Sequence, residues 1–471
     1  MSEEPTFAIP TCRLRDVGEA IKEYDKSFAQ HGHSLPMFVF DDCGPAMREQ
    51  YISRLTELET KNELYYVGHS EKAAVEAFIC KRLRDSRLAP LVHQLFRPSY
   101  GGNRNFTLLY SIGHYLISAD DDMRPFGLVD EDARELEADE ICRGRVVPMH
   151  DAPKQVRTFD LASAFMEVLG KTASDVPATY ARGDLLVDTA MDLETNASKG
   201  LARENALLLR PGYVAQDAVV RMAQSFRSGT NDIDALDYVE LFLENKDSTN
   251  MDVLTDVYVL GRFKPALTNK NWRMDCGVAG YDNRFGLPPF FPTRLRFEDY
   301  IYRLWIQQPG LVAAHVPAAQ NHSKSAYMRN SSASEVLNEE AANLLKRKIH
   351  SSVTGLNPLG VSFDYDGDVD TEEAERILDK MRGLQARVLQ ASKVDRNVPR
   401  TLELVRFAVG LETLFHGFER DLFLFSLRRM LKDTVSAIRN SLALWPDILD
   451  ICAHGAATRA LPQTRIGSGR N

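Results

Sequence analysis

Three consecutive carboxylates, Asp120, Asp121 and Asp122, close a short apolar run in the stretch GGNRNFTLLYSIGHYLISADDDMRP (101–125). Adjacent carboxylates repel one another, so a fold that gathers them supplies a cation or hydrogen-bond donors. The alternative is a solvated acidic turn after a strand. Hard divalent cations such as Mg²⁺ and Mn²⁺ take oxygen ligands, often one or two carboxylates completed by substrate phosphates. If the segment is extended, Asp120 and Asp122 share a face and can bracket such an ion. A second acidic pair, Asp41-Asp42, follows the apolar run PMFVF (36–40). A third, Glu298-Asp299, heads the amphipathic stretch RFEDYIYRLWIQ (296–307). There the acids also suit the positive end of a helix, and Arg303 offers Asp299 an ion pair four residues on.

One further acidic cluster imitates a metal loop. DYDGDVDTEEAE (364–375) puts Asp364, Asp366, Asp368 and Glu375 at the spacing of a calcium-binding loop. The sharp turn of such a loop needs Gly at its sixth position, where Val369 stands, and Gly367 comes two residues early. Asp370 or Thr371 capping the next helix, with Glu373 nearby, accounts for these acids.

The elements that position these groups alternate. Strands are expected at 6–10, 36–40, 64–67 and 115–119. Helices are expected at 16–31, 45–60, 71–96 (broken near Pro90) and 103–112, with Gly113 as a left-handed cap. This order predicts an α/β fold with a doubly wound, mostly parallel sheet, whose ligands lie beyond the carboxyl ends of the strands. Asp41-Asp42 and the 120–122 triplet both fall there. Residues 126–265 read as an inserted mixed region. Helical signals lie at 159–169, 215–226 and 234–244, and a strand at 253–261. GVAGYDNRFGLPPFFP (277–292) reads as a loop, then a helix from 296 and a strand at 311–317, where His315 reads as a core histidine. From 331 the chain turns helical. The expected units are 1–125, 126–330, a C-terminal α-helical domain at 331–454 and a disordered tail at 455–471. Apolar residues from Leu404 through Leu427 predict a helical bundle or a homo-oligomer interface rather than a membrane-lying helix.

Composition narrows the classes. A chain of 471 residues exceeds one ordinary core, and 44% hydrophobic with 26% charged residues is a globular balance. The net charge of −9 argues against nucleic-acid binding. The cysteines (Cys12, Cys43, Cys80, Cys142, Cys276, Cys452) are scattered without a CxxC pair, against a zinc site or a disulfide scaffold. The acidic opening MSEEPTFAIP shows no signal-peptide pattern, and no apolar run spans a membrane, so a cytoplasmic protein is expected.

The order IPT (9–11), FDD (40–42), GGNRN (101–105), DDD (120–122) and RFED (296–299) resembles the GT-A glycosyltransferases, closest to family 2. The resemblance covers roughly residues 5–125 and 275–325. It implies a GT-A sheet and a metal-dependent hexosyl transfer from a nucleotide-diphosphate sugar, a UDP-sugar by family frequency, to an acceptor hydroxyl. Thr11 and Asp42 would hold the nucleoside, and Arg104 would face the nucleotide. Asp120 would sit by the ribose and metal, Asp122 on the metal, and Asp121 in either role. His322 would add an imidazole ligand, which suits Mn²⁺ better than Mg²⁺. Lys324 would face the diphosphate. Asp299 would be the general base of an inverting transfer, with Glu298 orienting it or the acceptor. A QxxRW-type motif of processive polysaccharide synthases is absent. The alternatives are a retaining enzyme of the same fold, a nucleotidyltransferase (against which IPTCRLRD has no glycine loop), and a non-catalytic scaffold.

Overall fold

A computed structural model of the chain describes residues 5–130, 145–148, 156–180, 184–187, 213–230, 235–244, 246, 256–261, 264–269, 276–292, 298–306, 310–323, 332–352, 367–417, 420–457 and 460–467. It begins with β1 (Thr6–Thr11), α1 (Leu14–Gln30), β2 (Met37–Asp41), α2 (Arg48–Thr56), β3 (Leu64–Val67), α3 (His69–Arg82), α4 (Ala89–Leu95), α5 (Tyr100–Tyr110) and β4 (Tyr115–Ala119). The four strands lie in the order β3-β2-β1-β4 and are all parallel. Helices cover both faces of such a sheet, so its strands are apolar nearly end to end. β2, β3 and β4 are buried at every position. Thr11 pairs with Asp41 in register, so β1 and β2 end level. The expected break in the 71–96 helix is present, but it falls before Pro90, which stands in the first turn of α4.

The sheet then becomes mixed. Two short strands, β5 (Met123–Arg124) and β6 (Phe126–Leu128), follow the acid triplet. The inserted region contributes β7 (Arg145–Pro148), β8 (Val156–Thr158), α6 (Leu161–Met166), β9 (Thr179–Tyr180), β10 (Leu185–Val187), β11 (Tyr213–Ala215), β12 (Val219–Thr230), α7 (Ala235–Glu244) and β13 (Asp256–Val259). After it come β14 (Ala266–Thr268), β15 (Val278–Asp282), α8 (Glu298–Ile306) and β16 (Leu311–His322). β15 pairs antiparallel with both β4 and β12, and β12 runs parallel to β16. Two expectations are corrected. Residues 215–226 are largely strand rather than helix, because β12 is buried on both faces and loses the period-two signature. The expected loop at 277–292 contains β15, whose GYD stretch is strand only because β4 offers it an edge.

The C-terminal region is α9 (Ala333–Ser352), α10 (Thr371–Val394), α11 (Val398–Gly417) and α12 (Arg420–Ala457). The four share one apolar core with α7 and α8. The second half of α12 leaves that core and packs on the sheet half. Trp445 Nε1 donates to Leu287 O at 2.5 Å, and its ring lies 6.2 Å from that of Phe96. The expected disorder of 455–471 is overturned for residues 455–457, which continue α12, and for 460–467. β17 (Thr464–Ile466) pairs antiparallel with β3, closing an edge whose backbone groups would otherwise face water. Asp370 caps α10 in a reciprocal box with Glu373, as the sequence indicates, while Asp364 and Asp366 lie outside the described residues. The chain is therefore mixed α/β, with a large sheet, parallel across its N-terminal half, and a C-terminal helical region. Among the described residues, no helix is long and apolar enough to cross a membrane.

GGNRN is the first turn of α5 rather than a lead-in to it. Ser99 caps the helix by accepting from Gly102 N at 3.0 Å. A Cβ on Gly102 would strike the carbonyl oxygen of Arg97, and one on Gly101 that of Phe291. Gly102→Ala is expected to lower stability by about 1–3 kcal/mol despite alanine's better helix propensity. Denaturant unfolding checks this, and unchanged stability would mean that the close approach carries no constraint.

Candidate functional site

Three carboxylates at the end of β4 need opposing charge, and two arginines supply it. Arg13, two residues past β1, reaches Asp121 through Nε at 3.1 Å and through Nη2, and Asp122 Oδ2 at 3.0 Å. Arg104 Nη2 donates to Asp120 Oδ1 at 2.6 Å. Thr11 Oγ1 donates to Asp121 Oδ2 at 2.5 Å and accepts from Arg13 N at 3.0 Å. Burial pushes the Asp121 carboxyl up to about 6 against the opposing pull of Arg13. Asp120 is also raised, first by burial, with Asp122 adding to it and Arg104 opposing.

The triplet is a turn, closed by Met123 N donating to Asp120 O at 3.0 Å, so alternation of faces does not apply. Asp120 therefore turns to Arg104, while Asp122 turns to Arg13 and His322. The extended segment expected to put Asp120 and Asp122 on one face is therefore replaced by a turn.

His322 and Asp122 stand 200 residues apart in sequence and meet through a two-rung ladder. β5 pairs antiparallel with the end of β16, placing His322 opposite Met123. Ser323 N then donates to Asp122 O at 2.8 Å. His322 is buried, with Nε2 lying 3.6 Å from Asp122 Oδ2. Its Nδ1 lies 2.8 Å from Thr230 Oγ1, 3.2 Å from Thr230 O and 3.1 Å from Arg227 Nη2. Thr230 O calls for a proton on Nδ1, and Arg227 Nη2, which can only donate, for a lone pair there; the tautomer protonated at Nδ1 is the one that would leave Nε2 to ligate a metal. No group of three or more His, Cys, Asp or Glu side chains poised for a metal occurs among the described residues. One carboxylate and one imidazole nevertheless fit a divalent cation whose other positions go to phosphate oxygens and water. His315 is a core residue, fully buried with Nε2 2.6 Å from Gln224 Nε2, and Lys324 lies outside the described residues.

Asp42 is held on both oxygens. Oδ1 accepts from Lys72 Nζ at 2.9 Å and Oδ2 from Ser99 N at 3.0 Å. Lys72 is buried, and Nζ also donates to Asp41 O and Asn103 Oδ1, each at 2.7 Å. Burial lowers its proton affinity and Asp42 restores part of it. Lys72 thus fastens the end of β2 to α3 and α5. Sequence reading missed both Lys72 and Arg13. The signal for Lys72 was a lysine in the first turn of a helix, where the helix dipole disfavours a cation.

Arg104 does not stand at the free helix end that was expected to face a nucleotide. It is buried, with Nε 3.9 Å from Glu298 Oε1 and the guanidinium 5.7 Å from the Phe290 ring centre. It thereby ties the triplet to the head of α8. Its Nη1 is buried without a hydrogen-bond partner among the described residues, a donor left over for a ligand. Glu298 and Asp299 open α8. Glu298 is buried, and desolvation first, then Asp299, push its carboxyl up to about 8 against Arg104. Asp299 is half-buried, and its Oδ1 accepts from Tyr300 N at 2.6 Å. Neither a protein-family model nor a curated protein matches the chain.

Glu298 binds its proton more tightly in the folded chain than at its ordinary value of 4.5. Unfolding between about 4.5 and 8 therefore releases a proton, so stability falls as pH rises through that window and levels off above it. Glu298→Gln, neutral throughout, is expected to flatten this limb and to melt above the parent at pH near 9. Melting curves across pH test this, and an unchanged slope would overturn the assignment.

Proposed function

We propose that the protein is a metal-dependent glycosyltransferase of GT-A type that moves a sugar from a nucleotide-diphosphate donor, a UDP-sugar first, to an acceptor hydroxyl. The observation that carries this reading is the meeting of Asp122 with His322 at 3.6 Å beside Thr11 and Asp121, at the carboxyl end of a parallel sheet. Ligands of such sheets bind at that edge. Asp122 and His322 would hold Mn²⁺ or Mg²⁺, which when bound supplies charge against the leaving diphosphate.

The chain's own residues do the rest. Lys72 and Ser99 aim Asp42, whose remaining lone pairs accept from a base N–H. Thr11 and Arg13 fix Asp121 and with it the triplet. Arg104 offers its spare Nη1 donor near Asp120. Asp299 takes the acceptor's hydroxyl proton as the new C–O bond forms at the anomeric carbon and the donor's C–O bond breaks, its electron pair leaving with the diphosphate. Glu298, protonated at neutral pH, neither competes for that proton nor places a second negative charge beside Asp299. A base and a neutral acid set apart by their surroundings is a recurrent catalytic arrangement.

Slow hydrolysis of UDP-, GDP- and dTDP-sugars with Mn²⁺ needs no acceptor and tests the donor side. Turnover of one donor is expected, and Asp122→Ala is expected to reduce it by at least roughly 100-fold. Turnover that survives the change removes the metal assignment, and absence of nucleotide binding by calorimetry with Mn²⁺ favours a scaffold. With an acceptor in hand, Asp299→Asn should lower kcat by about 10²–10⁴. Retained anomeric configuration in the product would withdraw the base role of Asp299.

A further inference from the structure

Asp122 Oδ2 has two claimants. It lies 3.6 Å from His322 Nε2, with which it would hold a divalent cation, and 3.0 Å from Arg13 Nη2. The first partner of Arg13 is Asp121, gripped as a fork through Nε at 3.1 Å and through Nη2. One nitrogen therefore serves two carboxylates, and Asp122 is the one that Arg13 can release while still facing a counter-charge. A guanidinium and a divalent cation repel each other, so each disfavours the other at a shared oxygen.

Burial decides which arginine can yield. Arg104 is enclosed, its side chain 7% exposed, with Asp120 at 2.6 Å and Glu298 at 3.9 Å. Arg13 stands between β1 and α1 with 31% of its side chain exposed, although Asp121 and Asp122 are nearly closed off from water. Charge gives the direction of the exchange. Three carboxylates and two guanidiniums, beside the neutral imidazole that a metal ligand must be, sum to one negative charge. A divalent cation changes that sum to one positive, which an arriving anion can offset.

We propose that Arg13 competes with the metal for Asp122 and, once displaced, binds a phosphate oxygen of the donor's diphosphate. The paired N–H groups of a guanidinium match phosphate as well as carboxylate, so the move exchanges one strong partner for another. The proposal rests on the donor-site reading and deepens it. Arg13 opposes the metal by itself and favours the diphosphate that follows.

Calorimetry with Mn²⁺ alone, then with UDP, GDP or inorganic pyrophosphate at saturating Mn²⁺, separates this from a fixed role in shaping the triplet. Arg13→Gln should tighten Mn²⁺ about tenfold and weaken the diphosphate by about the same factor. A residue that only shaped the triplet would lower both affinities on removal. The same opposed shifts are expected when Arg13→Gln is added to Asp121→Asn, a background with no Asp121 charge to leave unbalanced. Melting temperature and far-ultraviolet dichroism check that each variant folds. Mn²⁺ affinity that is unchanged or weakened in both backgrounds overturns the competition and leaves the metal site standing. Tighter Mn²⁺ with undiminished diphosphate affinity, or no diphosphate binding by the parent, overturns the transfer to phosphate. Mn²⁺ binding by neither parent nor variants removes the metal reading and this proposal with it.

Discussion

Mutual repulsion within Asp120, Asp121 and Asp122 is the constraint around which the sheet half is arranged. Arg104 draws off Asp120, while Arg13 bridges Asp121 and Asp122 and His322 adds to Asp122, so the three do not have to share one small volume of charge. Arg13 comes from the loop after β1, Arg104 from α5, and His322 from the far end of β16. The turn that ends β4 is therefore held by contacts from three distant segments. Removing Arg13 would leave the buried Asp121 carboxylate without its counter-charge, a larger loss than the pair's own net worth.

A second polar junction runs beside the first. Lys72 joins Asp42, the Asp41 carbonyl and Asn103, while Glu71 next to it accepts from Arg48 Nη2 at 2.9 Å and Thr464 Oγ1 at 2.7 Å. These bonds hold the Glu71 carboxyl at about 2, below its ordinary value, although burial opposes them. Two neighbouring residues on one helical turn thus serve adjacent strands at the same carboxyl end of the sheet. One steadies the candidate nucleoside side and the other anchors the last strand.

The parallel strands and the residues at their ends were legible because both rest on local pattern. Apolar runs closed by acids mark the carboxyl ends of β2 and β4, and helix signals mark α1, α8 and α10. His322 could be named from its resemblance but not placed, since only the β5–β16 ladder brings it to Asp122. Arg13, Lys72 and the inward turn of Arg104 were not legible, because their partners lie far off in sequence or across the sheet. β12 was misread as helix because burial on both faces removes the alternation that marks a strand. β15 and β17 were missed for a related reason. Their short sequences become strands only when β4 and β3 present an edge.

β17 also bears on how the molecule is made. The edge of β3 is covered by Thr464–Ile466, and these residues are made only after the whole helical region. Until they emerge, a nascent chain whose first four strands are already complete presents an open β-edge, the kind of surface that pairs with stray strands. Its brevity, three residues with a basic Arg465 set against Glu63 at 2.9 Å, is suited to a clasp added late rather than to a strand on which the sheet is built. Closure of this edge thereby waits until the whole helical region has been made, even though the sheet begins at the sixth residue.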